Sequence, residues 1–507
     1  MKKYIIKLFN MRKLFAGVFC FVLAFLLNLN AFPQGYNIKI RINGLSDTLA
    51  ILGHYVNKSM YPDDTAWLDM NGYGVFKKDK KLPGGMYVIY LPSTKFFQIL
   101  IDEDQQFVLD TDTADFVNSL KVKGSDDNAI FYDFQKYMKT LSEEASSTQE
   151  QIKNAEDKTQ KEELKKKLKT LGDKRIDYIN DIIRQHPDLF VSTFLKATLE
   201  INVPEPPILP DGKKDSVWQY YYFRNHYFDN FDYTDPRLLR TPLIEDKIMD
   251  FATRVIPQIP DSIIPYVDAI IDKSKADSNV FRFMLITIFN HFARSNIMGM
   301  DAVYIHLAEK YYINDSWWSD AKFISDLKER IAKAKPLLIG KKAPDMELML
   351  VPDRHFIDAE NDTALKRFPH IGSKITLNNI DAKYLVLVFW ESDCGHCKTV
   401  LPQLHEIYKK SLQNKNIKVL AVSTLFGEEG KIKWIDFVNK HKLYDWMNAW
   451  NPYSYQYKID YDILATPQFF LLDQDKKIIA KRIGPEQIEP LINAYENMTE
   501  QKQSQPE

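Results

Sequence analysis

The chain has 507 residues, 45% hydrophobic and 13% aromatic, with a formal net charge of −1. Its length exceeds one ordinary domain and implies two to four. The balanced charge gives no argument for nucleic acid as a partner and reads as a solvated surface.

The N-terminus carries Lys2, Lys3, Lys7, Arg12 and Lys13, followed by an apolar run from Leu14 to Leu27. A basic stretch before a run of this length has the pattern of a secretory signal peptide, with residues 1–31 removed. The run is shorter than the roughly 20 residues of a membrane span, so membrane contact is expected only through an uncleaved anchor. Cys20 raises a lipoprotein signal, but Val18-Phe19 before it lacks the small residue that lipidation prefers.

Residues 36–124 read as a β-rich domain. Tyr36–Ile42 alternates and places Ile38, Ile40 and Ile42 on one face. Apolar runs at 49–52, 85–90, 97–101 and 106–109 are separated by turn signals, which predicts a small antiparallel sandwich. Asp63, Asp64 and Asp69 read as acidic turn residues rather than a metal cluster.

Residues 126–335 read as a helical domain, beginning with two long charged helices or a helical hairpin around the polar stretch Ser142–Glu163. Further helices are expected at 188–200, 242–256, 262–273, 278–294, 299–312 and 316–334. The aromatic run Trp218–Phe223 is assigned to core packing in preference to a ligand platform.

Residues 337–498 alternate strand and helix. Tyr384–Trp390, Ile417–Ser423 and Gln468–Leu472 read as strands, followed by a hairpin to Lys477–Ala480. Helices are expected from Cys397 to Leu412, Gly430 to His441 and Ile488 to Met498. A parallel βαβ core joined to an antiparallel hairpin is an α/β domain with a mixed sheet. The polar tail 499–507 is expected to be disordered.

Cys394-Gly395-His396-Cys397 follows the buried-strand pattern directly. Two thiols at this spacing can form a small reversible disulfide, and a helix starting there stabilises the first thiolate. Beyond the signal region the chain has no other cysteine. The loop between the pair is too short to add much unfolded-state entropy, so redox or metal chemistry explains it better than a structural staple. Zinc would need four ligands. The two cysteines with His396 and His405 supply no second pair, and no metal is expected.

The stretch Trp390–Lys398, with Pro402 and Thr466-Pro467, resembles the thioredoxin family. The resemblance implies Cys394 as attacking nucleophile and Cys397 as the resolving thiol of a Cys394–Cys397 redox disulfide. It implies a helix kink at Pro402 and a cis bond before Pro467, with Thr466, Pro467 and Trp390 lining the client site and Gly395 and His396 completing the catalytic motif. The CGHC sequence is similar to that of protein disulfide isomerase. Its potential lies about 90 mV above thioredoxin's, about 4 kcal/mol for two electrons. An imidazolium at His396 would favour the thiolate and so an oxidising pair. The segment Ile339–Leu348 resembles the exported TlpA-type and redoxin relatives. The whole order of domains, and Gly299–Val303 in particular, resembles multi-domain thioredoxin-like proteins of Bacteroidetes.

Two departures stand out. Thioredoxins carry a buried Asp six residues before the first cysteine, and here Val388 holds that position. A peroxidase of the peroxiredoxin type needs Thr or Ser three residues before the reactive cysteine and Pro four residues further back, where this chain has Glu391 and Leu387. The expected function is therefore exported dithiol–disulfide exchange with client proteins, without a bound cofactor and with a redox partner protein supplying or accepting electrons. An envelope binding or scaffold protein with an accessory thioredoxin-like domain is the alternative.

Overall fold

The computed structural model describes residues 35–367 and 371–504. The expected signal segment and Cys20 lie outside the described residues. The chain forms two compact units: one runs to Ile256 and includes Ala269–Met284, and the other comprises Pro257–Asp268 and everything from Leu285.

The first unit begins with eight strands: β1 (Tyr36–Asn43), β2 (Thr48–Val56), β3 (Ser59–Leu68), β4 (Tyr73–Lys78), β5 (Gly85–Tyr90), β6 (Phe96–Ile101), β7 (Gln106–Asp112) and β8 (Lys121–Lys123). They form two four-stranded sheets, β4-β1-β7-β8 and β3-β2-β5-β6. Ile38, Ile40 and Ile42 are buried on one face of β1, as a period of two requires. One pairing differs from the antiparallel expectation. β1 and β7 run parallel, from Asn37 opposite Gln106 to Asn43 opposite Asp112. Alternation reports which face is buried, but not which strand lies alongside.

Asp63 and Asp64 also differ from their expected place, since both lie within β3 rather than in a turn. Asp63 pairs with His54 Nδ1 at 2.7 Å, and Asp64 accepts from the Tyr36 hydroxyl at 2.7 Å. Only Asp69 is a turn residue, accepting from the N–H groups of Asn71 and Tyr73.

Two long helices follow, Asp126–Asn154 and Lys158–Gln185. The second starts where the Asp157 carboxylate accepts from Gln160 N–H at 2.8 Å, an ordinary N-cap. Asn128, fully buried near the start of the first helix, ties it to β6. Its Nδ2 donates to Leu100 O at 2.6 Å, and its Oδ1 accepts from Leu100 N–H at 2.8 Å. The aromatic run 218–223 sits on the helix Ser216–His226, none of whose residues is fully buried. The expectation of core packing is met only in part: Trp218, Tyr220, Tyr222 and Phe223 are half-buried, and Phe223 stands edge-on to the buried Tyr227, while Tyr221 is exposed. Trp218, Tyr222 and His226 stack along the helix, with ring centroids 5.1 and 4.2 Å apart.

The second unit is built on a seven-stranded mixed sheet. Its strands are β9 (Glu347–Val351), β10 (Ser373–Thr376), β11 (Tyr384–Trp390), β12 (Ile417–Ser423), β13 (Met447–Trp450), β14 (Gln468–Asp473) and β15 (Ile478–Lys481). Their order is β10-β9-β13-β12-β11-β14-β15. β11 pairs in parallel with β12 and antiparallel with β14. Every residue of β11 is buried, because both faces of the sheet are covered. Val386, Val388 and Trp390 face one core with the helices Gly395–Ile407 and Gly427–His441. Leu385, Leu387 and Phe389 face the other, against Leu337, Tyr457 and Tyr461. Strands β9, β10 and β13 were not among those expected from the sequence. The C-terminal helix runs from Ile488 to Ser504, so the tail expected to be disordered begins as helix.

Replacing Asn128 with Ala leaves both polar groups of Leu100 unpaired in the core of the first unit. The expected cost is about 3 kcal/mol in urea unfolding of that unit. A change below about 0.5 kcal/mol would show that the Asn128 bonds do not hold helix to sheet.

Candidate active site

β11 delivers the chain to Trp390, and the next four residues turn into the helix Gly395–Ile407. Cys394 N–H donates to Glu391 O at 3.2 Å, and Cys394 becomes the N-cap. Its Sγ takes the place of the usual capping oxygen and accepts from Cys397 N–H at 3.3 Å. The thiol therefore sits where free N–H groups and the helix dipole favour negative charge. Pro402 lies inside this helix.

The chain returns to Cys394 through β14. Thr466-Pro467, just ahead of that strand, is a cis peptide. Thr466 O lies 3.2 Å from Cys394 Sγ and accepts its S–H. Thr466 and Pro467 are half-buried.

The two thiols have different surroundings, and both are free. Cys394 is partly exposed. Burial alone would raise it, but hydrogen bonding with the Cys397 side chain and N–H, the Thr466 side chain and His396 N–H brings it below the ordinary thiol. Cys397 is fully buried, and desolvation pushes it up to about 12, against hydrogen bonding from the Glu391 backbone. The thiol that can meet a client is thus the one that ionises more readily.

The other expected site residues divide. His396 is exposed, and its backbone N–H is among the groups that lower the Cys394 thiol. Gly395 has open space where a Cβ would stand, so the backbone does not demand glycine there. Trp390 differs from its expected place at the client site. It is fully buried and packs on Phe437 with ring centroids 5.2 Å apart, so it cannot line a client surface. The alternation of β11 turns its ring inward with Val386 and Val388. His405 is not a free ligand either. Its Nε2 pairs with Tyr444 O at 2.6 Å, and its ring packs on Trp446. Among the described residues, no group of three or more His, Cys, Asp or Glu is placed to hold a metal ion.

Val388 lies in the same core as Cys397. The carboxylate next along the chain, Glu391, accepts from Thr424 Oγ1 at 2.6 Å and lies 3.6 Å from Lys458 Nζ.

Two measurements follow from this geometry. At neutral pH iodoacetamide is expected to modify Cys394 alone, with half-maximal rate below the pH of an ordinary cysteine, about 8.5. Faster modification of Cys397 would reverse the assignment. Replacing Val388 with Asp puts a proton acceptor into the Cys397 core at a stability cost of about 3 kcal/mol. It is expected to speed resolution of a mixed disulfide on Cys394. Equal rates in the two chains would show that the missing acid does not limit that step.

Residues 381–478 match a family described as thioredoxin-like, and residues 136–333 match a domain of unknown function. Over 136 residues the chain is 26% identical to the thiol-disulfide oxidoreductase ResA of Bacillus cereus, covering 25% of this chain and 70% of that protein. It is 29% identical over 128 residues to sporulation thiol-disulfide oxidoreductase A of Bacillus subtilis, covering 24% and 70%. Among solved structures, a domain of a possible thiol-disulfide isomerase from Cytophaga hutchinsonii is 33% identical. The match covers 33% of this chain and 98% of that one, with a TM-score of 0.26. Through its C-terminal domain, the chain belongs to the thioredoxin-like family, alongside relatives that are thiol–disulfide oxidoreductases.

Proposed function

We propose that the protein is an exported thiol–disulfide oxidoreductase acting on client proteins through Cys394 and Cys397. The observation that carries this reading is the inequality of the two thiols. One is partly exposed, capping a helix and lowered; the other is buried and raised.

In the reducing direction, the Cys394 thiolate attacks a client disulfide. An S–S bond forms between Cys394 and one client sulfur, and the other client sulfur leaves as thiolate. Cys397 loses its proton and attacks Cys394 from within, releasing the second client thiolate. Two electrons have passed to the client, and the chain holds the Cys394–Cys397 disulfide. A partner dithiol restores it by the same exchange. In the oxidising direction every step reverses. Thr466, beside the cis bond, offers backbone groups to the client strand.

Export rests on the basic and apolar N-terminal segment. Among the described residues no helix is long and apolar enough to cross a membrane.

A Cys397→Ser chain is expected to accumulate a stable mixed disulfide with its clients, and a Cys394→Ser chain to accumulate none. Trapping by the Cys394→Ser chain instead would overturn the roles. Two substitutions at His396 separate ring from backbone. His396→Pro removes the N–H that faces Cys394 and is expected to lower the redox potential by tens of millivolts, towards the thioredoxin value about 90 mV below the isomerase. His396→Ala keeps that N–H and is expected to shift the potential much less. An equal shift in both would return the effect to the imidazole.

A further inference from the structure

The second unit contains a cavity of about 1020 Å³ that reaches the active site. His396, Leu464 and Pro467 line it from the thioredoxin-like domain, and Tyr304 and Arg330 line it from the preceding helices. Leu464 is 88% exposed beside the cis peptide, an apolar foothold at the mouth of the site.

The helical side is the informative one. Tyr304 is only 7% exposed, lies on the helix Asp301–Leu307, and its buried hydroxyl has no hydrogen-bond partner. Buried polar groups are nearly always paired, and an orphaned one is costly. Arg330 is close enough for its charge to act on that hydroxyl. Among the described residues neither Arg330 nor Arg482, also in the lining, has a carboxylate at ion-pair distance. Asp301 does not fill the role, because it is engaged by Lys481, which also donates to Leu337 O at 2.6 Å. Counting its side chains, the lining carries four cations (Arg330, Lys333, Lys481 and Arg482) against three anions (Asp301, Asp462 and Glu486). Tyr304, with its unpartnered hydroxyl, and Arg330, with no carboxylate at ion-pair distance, both line the cavity, and a hydroxyl with a guanidinium is a donor set suited to a carboxylate.

We propose that this cavity receives an extended client segment, and that Tyr304 and Arg330 bind an Asp or Glu side chain of that segment close in sequence to its reactive cysteine. The cube root of the cavity volume is roughly 10 Å, or about three residues of extended chain, which places the acid two to five residues from the cysteine. The inference rests on the disulfide-exchange reading above and adds its client chemistry.

The test uses the full reduced chain and synthetic peptides whose single cysteine is joined to thionitrobenzoate. Cys394 attacks the peptide–thionitrobenzoate disulfide and displaces thionitrobenzoate, which is read by its absorbance. Cys397 then resolves the remaining mixed disulfide and frees the peptide thiol. Peptides with Glu two to five residues to either side of the cysteine are compared with Gln counterparts. At least a fivefold preference for a Glu peptide is expected. Arg330→Ala is expected to abolish the preference, Arg330→Lys to keep part of it, and Tyr304→Phe to reduce it. Each variant should keep the wild-type rate with bis(2-hydroxyethyl) disulfide, which carries no acid. A chain active on that small disulfide but indifferent to Glu against Gln overturns this inference alone. So does a preference that survives both Arg330→Ala and Tyr304→Phe. A chain inert towards the small disulfide overturns the disulfide-exchange reading as well.

Discussion

The antiparallel register of β11 and β14 is the constraint on which the site depends. Phe389 stands opposite Gln468, so the turn leaving β11 and the turn entering β14 lie side by side. One turn carries Cys394 and the other Thr466-Pro467. Although these residues are 72 apart in the chain, Sγ and carbonyl oxygen come within 3.2 Å. A slip of one residue in that pairing would turn Val386, Val388 and Trp390 out of their core and part the thiol from Thr466. The slip would exchange these residues with Leu385, Leu387 and Phe389, which pack in the other core.

The same arrangement separates the two thiols. The helix that begins at Gly395 offers free N–H groups to Cys394, and one turn further on it carries Cys397 into the apolar core with Val388 and Leu401. One element therefore supplies two opposite electrostatic settings, a polar helix end and a desolvated interior. In the proposed exchange the attacking and resolving steps draw on this difference, and no third ionisable group near Cys394 is needed to create it.

Much of this was legible in the sequence, because the informative residues are contiguous or strongly patterned. The apolar run Tyr384–Trp390, the C-x-x-C spacing and the Thr466-Pro467 pair each stand out without knowledge of the fold. What was missed has physical causes. β13 is four residues long with Asn448 inside it, and its buried amide donates to Leu443 O at 2.8 Å and accepts from Trp446 Nε1 at 3.1 Å. A polar residue satisfied by its own neighbours hides a strand from any apolar pattern. β10 is equally short and lies at the sheet edge, where burial imposes little pattern. Trp390 was misplaced because nearness to the cysteines in sequence does not decide which face of a strand a ring occupies. Tyr304 and Arg330 carried no signal at all. They lie on helices well ahead of the cysteines, within ordinary amphipathic patterns, and only the folded chain brings them to the cavity that His396 and Pro467 also line.

The central claim is that Cys394 and Cys397 form one reversible two-electron couple. Equilibration of the full chain in glutathione buffers of graded potential, followed by thiol labelling and intact-mass measurement, tests it directly. The account predicts a single transition in which both thiols disappear together. Its midpoint should fall between the thioredoxin and protein disulfide isomerase values, about −270 and −180 mV. Stable glutathione addition to Cys394, with Cys397 left as a free thiol across the whole range, would contradict it.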